Sequence, residues 1–192
     1  MAEEHDFGDR TSATQAAVAL LPQDTGLNAH QLSGLIERAD IVEKVDRGRG
    51  TEPLPGQSPA LVGTFRYVIR NDQLGTLSNF LDLLKATTTF AVGLVSLPTP
   101  AGIKGVIDGL HGLYSTFKGI IDKGAVLSPQ DFAVVAVLRR LKSASPETIA
   151  GELKDVDAGT VEALLERNRI QEGNLRGFTR LEENGNWSLV GV

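Results

Sequence analysis

The chain contains no cysteine. Disulfide frameworks, thiolate nucleophiles, iron–sulfur clusters and zinc fingers are excluded together. It also lacks any strongly basic stretch: residues 1–60 hold 5 basic and 10 acidic groups, residues 61–128 hold 6 and 4, and residues 129–192 hold 8 and 10. A generic phosphate-binding surface clusters Lys and Arg, so nucleic-acid binding starts at a disadvantage. The start, Met1-Ala-Glu-Glu-His-Asp6, is acidic and has neither the basic nor the apolar region of a secretory signal. Together with the missing cysteine this points to the cytoplasm. Catalytic signatures are missing as well: there is no phosphate loop, no Gly-x-Gly-x-x-Gly after a strand, no Gly-x-Ser-x-Gly and no His-Glu-x-x-His. His5, His30 and His111 stand far apart, and none has a neighbour at metal-ligand spacing. The expectation is a non-enzymatic protein with no catalytic residues, no cofactor and no metal.

What is present suits a folded protein. Of 192 residues, 41% are hydrophobic and 22% charged, close to globular averages, and the length fits one ordinary domain or two small ones. Residues 1–27 read as a flexible leader in which Thr11 to Leu21 can form a short helix before Pro22 stops it. From Asn28, a good N-cap with Gln31 three residues on, an apolar face runs through Leu32, Leu35, Ile36, Ala39, Val42 and Val45, and predicts one helix. Residues 47–60 hold three prolines and three glycines, the composition of a linker or exposed loop. Residues 61–70 alternate as a half-buried strand, with Leu61, Phe65, Tyr67 and Ile69 on one face. Such a strand needs a neighbour, from this chain or another.

Residues 72–122 read as an apolar helical hairpin: one helix over 72–97, a break at Pro98-Thr-Pro100, and a second over 101–122. The second helix carries Ile103, Ile107, Leu110 and Phe117 in a broad apolar stripe flanked by Gly105, Gly109 and Gly112. Ala86 to Ile103 is an uncharged run of 18 residues, at the lower limit for a membrane span but interrupted by two prolines.

The most legible stretch is 128–192. Ser128-Pro-Gln-Asp131 opens a helix to about Lys142, and Ser145-Pro-Glu147 opens a second. Asp157 caps a third, and two strands, Leu175 to Leu181 and Trp187 to Val190, flank Glu183-Asn-Gly-Asn186. In Val137 to Leu141, Ser145 to Leu153 and Thr160 to Asn168 this stretch resembles the winged-helix branch of the helix-turn-helix superfamily. The resemblance implies a third helix in the DNA major groove and a wing on the backbone or minor groove, which here places Thr160, Arg167, Arg169, Arg176 and Arg180 as nucleic-acid contacts. Glu162 and Glu166 on the same helix run against that role.

The expected fold is mainly α (α+β): a leader over 1–27, a helical region over 28–127 and a winged-helix-like module over 128–192. The expected function is an adaptor or assembly subunit that binds a protein partner or its own copy through Phe65, Tyr67, Ile103, Ile107, Leu110 and Phe117. A winged-helix regulator on duplex DNA, with an N-terminal dimerisation or sensing region, is the alternative. A peripheral membrane protein acting through 86–121 is the second alternative.

Overall fold

A computed structural model describes residues 6–46, 65–87, 102–171 and 174–191. The protein is mainly α with two small antiparallel sheets, and the chain divides into two compact units: residues 1–23 with 27–78, and residues 24–26 with 79–192.

In the first unit the start of the chain is built into the fold. Strand β1 (Asp6–Phe7) leads into helix α1 (Arg10–Leu20), capped by Asp9, whose carboxylate accepts hydrogen bonds from the Ser12 amide at 2.9 Å and the Ser12 hydroxyl at 2.7 Å. Ala13 and Ala17 are fully buried, and their small side chains let α1 pack against its neighbours in this unit. The flexible leader is thus corrected: the helix ahead of Pro22 belongs to the core. Helix α2 (Ala29–Arg38) opens on the expected Asn28–Gln31 capping box and buries Leu32, Leu35 and Ile36. It does not continue to Val45. Asp40 takes the left-handed conformation, at φ 50°, and the chain turns into strand β2 (Val42–Asp46). The β-branched Ile41, Val42 and Val45 suit a strand better than a helix, and their spacing had imitated a helical face.

Strand β2 supplies the neighbour that the predicted strand required. β3 (Phe65–Ile69) lies at the centre of the sheet in the order β1-β3-β2, with Lys44 opposite Tyr67 and Phe7 on its other side. Residues 61–64 of the expected strand lie outside the described residues. Helix α3 (Asn71–Thr87) follows, its residues 71–78 counting with the first unit and 79–87 with the second.

The second unit holds α4 (Gly102–Asp122) and α5 (Pro129–Leu141), followed by β4 (Ser143–Ala144), α6 (Pro146–Glu152), α7 (Ala158–Arg167), β5 (Thr179–Leu181) and β6 (Trp187–Leu189). Phe80 of α3 is in ring contact with Tyr114 and Phe117 of α4 and Phe132 of α5, with centroids 5.5, 5.7 and 5.6 Å away. Two of these contacts are edge-on, the geometry that favours the ring quadrupoles, and aromatic pairs contribute about 0.5–1.5 kcal/mol each beyond area burial. Beside α4, the Gly112 Cα leaves room for the guanidinium of Arg139 on α5, which donates to the Thr116 hydroxyl at 3.0 Å; a Cβ at 112 would collide with it. The second helix of the expected hairpin is therefore observed. The expected break at Pro98–Pro100 lies outside the described residues, as do residues 88–97 of the expected first helix.

From α5 onward the helices and hairpin follow in the order helix, helix, helix, hairpin. Ser128, Ser145 and Asp157 each cap the helix that follows. Val134, Leu138, Ile149, Val161 and Leu165 pack with Trp187, which is buried in β6. A feature missing from the sequence reading is β4, two residues long, which pairs with β6 to give the sheet order β4-β6-β5. The first hairpin strand also starts later than Leu175, at Thr179, because the Asn168 carbonyl captures the amides of Phe178 and Thr179 at 2.9 and 3.1 Å. Among the described residues, no helix is long and apolar enough to cross a membrane.

Gly177 sits where this loop passes close to the end of α7. A Cβ there would lie 2.5 Å from the Arg169 carbonyl oxygen and 2.6 Å from the Ile170 nitrogen, both backbone atoms that cannot swing aside. Gly177→Ala is expected to destabilise the protein by about 1–3 kcal/mol, the usual scale of overpacking. Urea unfolding followed by Trp187 fluorescence measures it, and a midpoint equal to that of the natural chain would contradict the packing.

Candidate interaction surface

The surface around α7 is built from its caps outward. At its N-terminus the Asp157 carboxylate accepts the Thr160 hydroxyl at 2.7 Å and the Thr160 amide at 2.9 Å, and these bonds hold its carboxyl below the ordinary carboxylate value. Thr160, expected as a nucleic-acid contact, is thus occupied as a capping partner. Along the exposed side stand Glu162, Ala163, Glu166 and Arg167.

The C-terminal end of α7 is tied to α5 by a buried carboxylate. Asp131, with a side chain only 2% exposed, accepts from Arg167 Nη2 at 2.6 Å and from Asn168 Nδ2 at 2.8 Å. Its other oxygen accepts from the Ser128 hydroxyl at 2.6 Å and the Ser128 amide at 2.9 Å, closing the α5 capping box. Burial pushes the Asp131 carboxyl up, but the Ser128, Arg167 and Asn168 hydrogen bonds outweigh it, so the group lies below its ordinary value and is ionised at neutral pH. Asn168 carries the tie further: it also caps the Leu164 carbonyl, and its own carbonyl receives the start of β5. Thr179 adds a bond from its hydroxyl to the Leu165 carbonyl at 2.7 Å.

The remaining arginines divide. Arg169 reaches Glu166 at 3.2 Å and lies 5.9 Å over the Trp187 ring. Arg176 and Arg180 are exposed and make no ion pair among the described residues. Arg176 folds toward the loop after α4, its Nε 3.5 Å from the position a Gly124 Cβ would take. Arg176 thus reaches the loop that carries Val126, and among the unit's described residues Val126 at 90% and Leu175 at 85% are the most exposed large apolar side chains. No local sequence pattern distinguishes either residue: Leu175 falls at the start of the expected hairpin strand, and Val126 just ahead of the Ser128 cap.

The apolar residues expected to form an interaction surface are distributed differently. Ile107, Leu110 and Phe117 are buried, Phe117 against the rings of Phe80 and Phe132, and this corrects their assignment to an open surface. The side chain of Ile103 lies outside the described residues. In the first unit Tyr67 is half-buried and Phe65 is 44% exposed, with the Lys44 ammonium 3.8 Å above its ring. An open cleft of about 410 Å³ near Tyr67 is lined by Arg10, Lys44 and Arg70 together with Asp40 and Glu43. Arg70 is already engaged there, 3.9 Å from Glu43 and 3.7 Å from Asp72. Among the described residues no three His, Asp or Glu side chains gather to hold a metal ion. No protein-family model, curated protein or solved structure matches the chain.

The Asp131 tie has a measurable pH signature. Asp131→Asn keeps the size of the side chain but removes the charge, and is expected to cost about 1–3 kcal/mol at pH 7, the scale of hydrogen bonds to a charged group. Because the folded-state value is depressed, the ionised carboxylate stabilises the protein above its unfolded-state value of about 4 and loses that contribution as the pH falls through the lower folded value. The gap between the natural chain and the variant, followed by urea unfolding, should therefore narrow steadily below about pH 4. A gap that stays constant through this range would contradict the assignment.

Proposed function

We propose that the chain is a non-enzymatic, self-associating assembly protein, and that residues 128–192 form a winged-helix module used for protein contact. Support for the module comes from the order α5, β4, α6, α7, β5, β6, with β4 pairing on the far edge of β6 and Trp187 anchoring the hairpin to the helices. The observation that carries the protein-contact role is the outward face of α7. On duplex DNA that face would meet phosphates, yet it presents Glu162 and Glu166, while Arg167 and Arg169 are held by Asp131 and Glu166. Anionic side chains against phosphate are repelled, and arginines already paired must give up those bonds to bind. The exposed Val126 and Leu175 on neighbouring loops supply apolar area whose removal from water favours association.

A second role, contact with duplex DNA, is favoured by one specific observation: Arg176 and Arg180 are exposed and free of ion pairs among the described residues. Light-scattering chromatography at low and high salt, with and without duplex DNA, distinguishes the two. The expected result is a mass above that of one chain, unaffected by DNA, that falls toward a monomer in the Val126→Ser/Leu175→Ser variant. A monomer at every concentration would sink the assembly proposal. A DNA-dependent shift that high salt abolishes and Arg176→Ala weakens would replace it with the nucleic-acid role.

A further inference from the structure

We infer that the chain contains the same β-α-α-β-β building block twice, over residues 6–69 and 143–189, so that α2 is the counterpart of α7. This stands independently of the proposed function. The first observation is topological. In the first unit the order is β1, α1, α2, β2, β3, and in the second it is β4, α6, α7, β5, β6. In both, the first strand is two residues long and pairs antiparallel with the third, which pairs antiparallel with the second.

The second observation is the register of the side chains. α2 and α7 are each 10 residues long, and Asn28 and Asp157 cap them in the same way, accepting from the amide three residues on at 3.0 and 2.9 Å. Aligned on those caps, the buried set Leu32, Leu35, Ile36 falls on Val161, Leu164, Leu165 without a gap. Ala29, Leu35, Glu37, Arg38 and Ile41 meet the identical residues Ala158, Leu164, Glu166, Arg167 and Ile170, five of fourteen positions between the caps and the isoleucines. The earlier helices agree as well. Asp9 and Ser145 cap α1 and α6 through the amides of Ser12 and Thr148, and fully buried Ala13 and Ile149 each stand four residues after their cap. From cap to cap the first copy is 19 residues long and the second 12; four of the seven extra residues lengthen α1 and the others the turn that follows.

Capped amphipathic helices recur by chance, since few residue types cap well and a 3.6-residue period has few solutions. Coincidence does not account for an ungapped match across cap, buried set and closing Glu-Arg pair in helices that occupy the same place in the same sheet topology. The copies have also diverged in a definite way. Asn168, which joins α7 to Asp131 and β5, has Ala39 as its counterpart, so the first copy lacks that polar tie.

The register is testable in the full-length chain by transplanting one copy onto the other. In one variant residues 28–41 are replaced by the sequence of 157–170; in a second they are replaced by that of 158–171, which moves every apolar residue about 100° around the helix. Hydrogen exchange followed by mass spectrometry on peptides covering 29–46 and 65–78 is the readout. Protection within tenfold of the natural chain in the first variant and its loss in the second is expected. Equal loss in both, or equal retention in both, overturns the equivalence. The milder variant Leu32→Val/Ile36→Leu carries only the differing buried side chains of the second copy, and its failure to keep protection would overturn the register by itself.

Discussion

Asp131 is the constraint on which the second unit depends. A carboxylate removed from water is costly unless its lone pairs are filled by donors. Here Ser128 supplies two donors from the start of α5, and Arg167 and Asn168 supply two more from the end of α7. One side chain thereby fixes where α5 begins and where α7 ends. Through Asn168 the same point governs where the loop returns to start β5, and hence the register in which β5 and β6 cover the helices with Trp187. The guanidinium of Arg167 is more than half exposed, so part of the attraction is screened by water. The neutral donors of Ser128 and Asn168 are short-range and directional, and they set the geometry.

The parts of this fold that were legible in the sequence are those specified locally. Caps at Asn28, Ser128, Ser145 and Asp157 reveal themselves because the oxygen that accepts and the amide that donates lie three residues apart in one chain segment. The turn at Glu183-Asn-Gly-Asn186 is legible for the same reason, with Gly185 at φ 80° as such turns demand. β1 and β4 carry no signal of their own, because a two-residue strand is defined by its partner. β2 was hidden by a coincidence: Val42 and Val45 extend the helical spacing of α2, and the event that separates them from it is the left-handed turn at Asp40.

The candidate surface was less legible than the fold. Apolar spacing identifies the side of a helix that is covered, but it cannot distinguish coverage by the same chain from coverage by another; Ile107, Leu110 and Phe117 are buried within this chain. The winged-helix resemblance places the arginines by their position in the motif, yet their availability depends on partners far away in sequence: Arg167 is 36 residues from the carboxylate that holds it. Val126 and Leu175 stand out through exposure, a property of the loops around them that no local pattern encodes.

The notch at Gly112 has an evolutionary consequence. The Arg139 guanidinium occupies the space a side chain would take there and is oriented by Thr116. The two positions are coupled by volume in one direction: a larger residue at 112 displaces the flexible end of the exposed Arg139 toward solvent, while a shorter residue at 139 leaves space that water can enter. In sequences descended from a common ancestor with this chain, position 139 can therefore drift while 112 stays glycine, whereas a side chain at 112 goes with an arginine that has turned outward or been replaced.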